Sequence, residues 1–335
     1  MLVFHKNYQK SHQNSDPDNT RARLRSLTRV FPSPYWCLFF LVLQAFINSA
    51  SYSAIHDPIA GSRTVLLSNN VKLYDGWTEL MYAAWKGNLQ VVKKLLKRSP
   101  DVNAEDEDNR SALQYAAWWG QADIIRVLLK HGADINHTDI HGQTALILAA
   151  RNGQDRSIEY LIKQGASINT GDKFGRTALV WAVRMGFIET VNVLISNAAN
   201  INIQDKNSLT ALSTAAKLGY DHIALKLMAA GASPMAADKH GRSTLWYASD
   251  LGLTSLLKLL LKKGANTNLK DRKHQTPLMR AAVNGHLDTV NLLMNRGSHI
   301  NESSRTGNTA LMFAAAAGKE NIVKALLAKG AKVNH

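Results

Sequence analysis

Apolar and polar positions obey one rule from residue 78 to the end of the chain. A hydroxyl residue stands at Thr78, Ser111, Thr144, Thr177, Thr210, Ser243, Thr276 and Thr309, every step 33 residues, with no insertion or deletion. In all eight copies Leu follows two residues later (Leu80 to Leu311), Ala five later (Ala83 to Ala314) and Gly nine later (Gly87 to Gly318). The hydroxyl is a good N-cap, and Pro277 occupies the first helical position of the seventh copy. Leu, Ala and the next small residue form an apolar face at helical spacing, and the Gly supplies a left-handed stop. A second helix follows, built around pairs such as Leu128-Leu129 and Leu260-Leu261, and ends at Gly in six copies, at Ser99 and Ala198 in the others. A turn carrying Asp, often with Gly, leads to the next cap. Two such short helices cannot bury their apolar faces alone, so the pattern predicts neighbouring units stacked in a row.

This unit resembles the ankyrin repeat, most fully in Asp271-Arg272-Lys273-His274-Gln275-Thr276-Pro277-Leu278 and in His131-Gly132-Ala133-Asp134-Ile135-Asn136. The resemblance implies an all-α solenoid of eight helix-turn-helix units with short β-hairpin-like turns over residues 73–335. It also implies a non-enzymatic scaffold that holds a protein partner on its concave face and turn tips. Family members usually carry His three residues after the cap, bonding toward a neighbouring repeat. Here those places hold Met81, Gln114, Ile147, Val180, Ser213, Trp246, Met279 and Met312, six of them apolar, so packing is expected to replace the polar link.

By the same resemblance, the tips lie four, three and one residues before each cap. The first two repeats place Asp75, Trp77, Glu107 and Asp108 there. From the fourth onward the tips carry Lys173, Phe174, Arg176, Lys206, Lys239, Arg242, Arg272, Lys273 and Arg305. Adjoining first-helix positions hold Trp85, Trp118 and Trp119, then Arg151, Arg184 and Lys217. The surface thus changes from acidic and aromatic to basic along the array. Any single Lys is adequately explained as a solvated side chain; the set, at equivalent places, makes a stripe. Exposed Trp is costly and concentrates at binding hot spots, which makes Trp85, Trp118 and Trp119 the expected anchor. Trp181 and Trp246 sit off this face and are expected to pack between repeats. In the last repeat Leu311, Phe313, Leu326 and Leu327 stand where a terminal unit is usually polar, which reads as a tolerated apolar end or as end-to-end association.

Residues 1–50 read differently. Arg21, Arg23, Arg25 and Arg29 precede an apolar run, 35–47, which is 13 residues long and followed by small residues. Basic flank, short apolar core and small-residue exit are the parts of a signal peptide. The long polar stretch before the core, and a mediocre span over 35–55, keep a membrane anchor as the alternative. Either way the basic flank sends the repeats across the membrane, to a secreted, periplasmic or membrane-anchored location. Residues 51–72 read as a linker.

Composition narrows the chemistry. Lys plus Arg number 40 against 25 acidic residues, a net charge of +15 that favours anionic partners. An acidic protein partner fits this best; nucleic acid ranks behind it, since no base-reading element is evident. The single Cys, Cys37, excludes an intrachain disulfide framework and a cysteine-cluster zinc site. No GxSxG, HExxH, GxGxxG or GxxxxGK pattern occurs, and the linker is too short for a catalytic domain. Neither catalysis, a cofactor nor a metal is expected. His131, His137 and His141 share a turn, where ligand spacing is not enforced, and Glu105-Asp106-Glu107-Asp108 reads as a solvated hairpin tip. Sequons at Asn136 and Asn301 use an Asn that recurs 25 residues after the cap, which suggests backbone bonding rather than glycosylation.

Overall fold

The computed structural model describes residues 76–334, all within the unit Asn69–His335. Segment 1–50, linker 51–72, the apolar stretch 35–55 and Asp75 lie outside the described residues. Among the described residues there are sixteen helices, arranged as eight pairs. The first helices are α1 (Glu79–Trp85), α3 (Ala112–Trp118), α5 (Ala145–Arg151), α7 (Ala178–Met185), α9 (Ala211–Leu218), α11 (Thr244–Asp250), α13 (Pro277–Asn284) and α15 (Ala310–Ala316). The second helices are α2 (Leu89–Leu96), α4 (Ala122–Lys130), α6 (Asp155–Lys163), α8 (Ile188–Ser196), α10 (Asp221–Ala229), α12 (Thr254–Lys262), α14 (Leu287–Asn295) and α16 (Glu320–Ala328). No helix among them is long and apolar enough to cross a membrane.

Each helix starts and stops as its residues dictate. Thr144 Oγ1 accepts from the Ile147 amide at 3.3 Å, and Thr210 Oγ1 from the Ser213 amide at 3.2 Å. Gly120 closes the second copy at φ 72°, and a Cβ there would also lie 2.0 Å from the Gln154 side chain. Every first helix packs on its own second helix, and neighbouring first helices pack on each other. The Leu two places after the cap and the Ala five places after it are buried in all eight copies, so one apolar seam threads the stack.

Polar ties reinforce the seam. Asn103, Asn136, Asn169, Asn202, Asn268 and Asn301 each accept, through Oδ1, a backbone amide 31 residues further on, at 2.8–2.9 Å. The carboxamides of Asn136 and Asn301 are therefore engaged with backbone. The equivalent place in the fifth repeat is the exposed Met235, which interrupts the ladder. Met81, Ile147, Val180 and Met279 are buried where family members carry His, as the apolar substitution implies. Gln114 is the exception: its Nε2 donates to the Gln143 carbonyl at 2.7 Å, so a polar link survives between the second and third repeats.

The turns are hairpin-like without becoming strands among the described residues, with isolated antiparallel bridges at Gly171–Thr177 and Ala237–Ser243. Successive tips are stitched by backbone, the Lys206 amide donating to the Phe174 carbonyl at 2.8 Å and the Arg272 amide to the His240 carbonyl at 2.8 Å.

Two stability outcomes follow. Leu212 is fully buried at mid-array and Leu311 is 8% exposed in the last repeat. Leu212→Ala should cost about 2–5 kcal/mol and Leu311→Ala distinctly less, by urea denaturation, because a mid-array loss breaks coupling on two sides. Ala198 holds φ 60°, where its counterparts are Gly. Ala198→Gly should raise stability by about 0.5–1 kcal/mol, the left-handed penalty less the glycine entropy cost.

Candidate functional site

The tips are built around a buried carboxylate. Asp106, Asp139, Asp172, Asp205, Asp238 and Asp271, five residues before each cap, are all buried. In each, Oδ1 accepts the amides two and four residues later; Asp172, for instance, takes Phe174 at 2.8 Å and Arg176 at 3.0 Å. This closes the turn and fixes where the tip side chains point. The acidic run at 105–108 is thereby corrected: Asp106 is not solvated but supports its own turn, and its Oδ2 accepts the Tyr115 hydroxyl at 2.5 Å.

The second carboxylate oxygen reveals an alternation of two repeats. Tyr115, Trp181 and Tyr247, nine residues after Asp106, Asp172 and Asp238, each donate to Oδ2. In the fourth and sixth repeats an arginine joins them: Arg176 Nη2 and Arg242 Nη2 each lie 2.7 Å from their Asp Oδ2. In the third repeat the ninth residue is Leu148, and Asp139 Oδ2 is left with Arg110 Nε at 3.8 Å. Burial alone would raise the Asp238 carboxyl. Hydrogen bonds from Arg242, Tyr247 and the Arg242 and His240 amides outweigh it and hold the carboxyl below its usual range. Burial and the adjacent Asp238 push the Tyr247 hydroxyl up, keeping it a donor.

Around Trp181 these elements converge. Its indole donates to Asp172 Oδ2 at 3.0 Å, which fixes the ring. Three guanidinium groups face it: Arg176 at 4.3 Å, Arg151 at 4.8 Å and Arg184 at 5.5 Å from the ring centroid. Arg151 also lies 5.4 Å from the half-buried Trp118, and Arg176 lies 4.6 Å from the exposed Phe174. Each such contact is worth about 0.5–2 kcal/mol. Loss of solvation and repulsion from Arg176 hold Arg184 below the ordinary arginine value, against the opposing pull of Asp205 and Asp172. Trp181 thus gathers Arg151, Arg176 and Arg184, and Arg151 extends the cluster to Trp118.

Other predicted positions lie elsewhere. Trp77 and Trp85 meet edge to face at 5.7 Å, Trp77 lies 4.3 Å from Tyr115, and both pack against the core of the first repeats. No ring contact joins Trp85 to Trp118 or Trp119 among the described residues. Trp119 is half-buried beside Trp118. Lys173, Lys206, Lys217, Lys239, Arg272, Lys273 and Arg305 are exposed, and among the described residues none is within ion-pair distance of a carboxylate. Lys239, Arg272 and Arg305 line an open groove with Lys270. Trp181 and Trp246 are buried, 6% exposed each. The sequence marked Trp181 as packing and missed that it is the platform for three arginines; the clue was Arg176 five residues before it. His131 and His137 reach separate backbone carbonyls, of Val127 and Asn109, within 2.8 Å.

A comparison with family models matches ankyrin repeats (3 copies) to residues 60–139, 137–205, 199–271 and 252–335. The chain belongs to the ankyrin-repeat family. Repeats of this family generally mediate protein–protein interaction. Among curated proteins none matches the chain.

The Asp238 network yields a checkable outcome. Asp238→Asn should destabilise by about 1–3 kcal/mol, because Arg242 loses its charged partner. A carboxyl held low in the fold contributes stability above its unfolded value, and that contribution disappears as pH falls through the folded value. Between roughly pH 4 and pH 2 the unaltered protein should therefore lose more stability in thermal scans than Asp238→Asn does.

Proposed function

We propose that the chain is a non-enzymatic scaffold whose first-helix face and tips, over the second to fifth repeats, hold a protein partner of acidic character. The observation that carries this reading is the indole–guanidinium stack Trp118, Arg151, Trp181, Arg184. It places half-buried aromatic surface beside cations, the composition of interface hot spots. The tip geometry supports it, since buried aspartates hold the side chains ready before any partner arrives and so reduce the ordering cost of binding. Trp118 and Trp119 lie outside the core cluster. Trp118→Ala with Trp119→Ala should thus lower capture of the native partner from cell extract by at least about tenfold, while the melting temperature stays close to that of the parent. Unchanged capture with fold intact would remove the reading.

A second reading rests on the row Lys173, Lys206, Lys239, Arg272 and Arg305, an exposed cation four residues before the cap in five consecutive repeats. As a receptor for nucleic acid or acidic lipid it would bind without sequence preference and release at moderate salt. Salt-tolerant capture of one protein favours the scaffold. For location, the basic flank and apolar run of residues 1–55 support export or anchoring, with delivery of a bacterial effector into a host cell as the variant of that scheme; cell fractionation with N-terminal sequencing separates them.

A further inference from the structure

The seventh residue after the cap marks the same place on every first helix. From the second repeat it reads Trp118, Arg151, Arg184, Lys217, Asp250. In the sixth and seventh repeats this place is electrically closed. Asp250 Oδ1 lies 2.6 Å from Arg280 Nη2 and 2.8 Å from its Nε, and Asn284 Nδ2 adds a bond at 2.7 Å. That guanidinium in turn lies 5.0 Å from Trp246. An arginine beside an indole with a carboxylate at its edge is therefore an arrangement this fold completes internally.

In the fourth and fifth repeats it is incomplete. Arg184 lies beside Trp181, its charge is opposed by Arg176, and among the described residues no carboxylate is within ion-pair distance of Arg184 or Lys217. Asp172 is fully occupied by Arg176, Trp181 and two backbone amides.

Resting on the scaffold reading, we propose that Arg184 and Lys217 receive the side-chain carboxylates of an extended acidic peptide segment of the partner. Arg184 stands at the place Asp250 takes in the sixth repeat, so there the carboxylate must come from outside the stack. A guanidinium resting on an indole keeps its in-plane N–H edge free, the geometry that grips a carboxylate through two bonds. Nucleic acid fits less well: base stacking needs an open aromatic face, and Trp181 is 6% exposed and ringed by three guanidinium groups. Neighbouring first helices stand about 8–10 Å apart and an extended chain advances about 3.3 Å per residue, so the segment carries an acidic residue at about every third position.

The test uses the full chain and a labelled peptide of about twelve residues with Glu at every third position and Ser between, read by fluorescence anisotropy. Arg184→Gln should weaken binding about tenfold, and Arg184→Lys, which keeps the charge but not the fork, by less. Lys263→Gln, an exposed cation after α12, should change nothing. Arg184→Gln should leave the melting temperature close to that of the parent, since Arg184 is exposed and makes no ion pair among the described residues. No binding by the parent, equal binding by Arg184→Gln, an equal loss in Lys263→Gln, or tighter binding of an oligothymidylate of equal charge would overturn the proposal. If the peptide fails while the Trp118 and Trp119 replacements still abolish partner capture, the scaffold reading stands and this assignment alone falls.

Discussion

A helix of seven to nine residues is marginal by itself, and a pair of them exposes almost as much apolar surface as it covers. Everything else here depends on neighbouring pairs supplying the missing half of each other's core. That requirement fixes the spacing within each helix, where an insertion would move Leu and Ala off the shared face. It also divides labour within a repeat. The hydroxyl cap, Leu, Ala and Gly belong to the stack and recur in all eight copies, whereas the seventh position after the cap and the tips are free to differ. Variation along those free positions is what gives the molecule a directional surface: aromatic at the second repeat, cationic over the third to fifth, self-neutralised at the sixth.

The aspartate five residues before the cap, present in the second to seventh repeats, links the two layers. Its buried Oδ1 satisfies turn amides that would otherwise need water, and its Oδ2 is available for whatever the first helix offers. Where the helix offers Trp or Tyr with an arginine at the tip, the tip is locked to the helix. Where it offers Leu148 or Thr214, the lock is absent and buried oxygens of Asp139 and Thr214 lack a hydrogen-bond partner. Internal bonding therefore alternates along the array, and the tips that carry Arg176 and Arg242 make the most bonds to their own aspartate.

Much of the fold was legible because stacking is a periodic demand and leaves periodic residues. Helix existence, the Gly stops and the Asn ladder can all be read from recurrence. The site was harder for a physical reason. Its contacts join residues from three repeats, Trp118, Arg151 and Trp181; recurrence marks the shared place of Trp118 and Arg151, but not that the side chains there meet Trp181, which stands at another. The acidic run 105–108 misled for the opposite reason: four carboxylates in a row suggest water, yet the recurrence of Asp at one place in six copies marks Asp106 as structural. Gln114 shows the limit of reading by class, since only its geometry reveals a bond to the next repeat.

Arg184 is where the demands of the stack and of the surface part company. A sequence selected for stability alone would put a carboxylate or a neutral residue there, as the sixth and seventh repeats do with Asp250 and Val283. Instead the fold keeps a guanidinium beside a second one on the same indole, where partial loss of solvation and the Arg176 charge hold its pKa below the ordinary arginine value against the pull of Asp205 and Asp172. Arg176 cannot be spared to relieve it, because it closes the tip through Asp172. The repulsion is removed when negative charge arrives from outside, so binding and relief become the same event. A carboxylate received there would offset that repulsion through charge alone, with no backbone movement needed to form the contact.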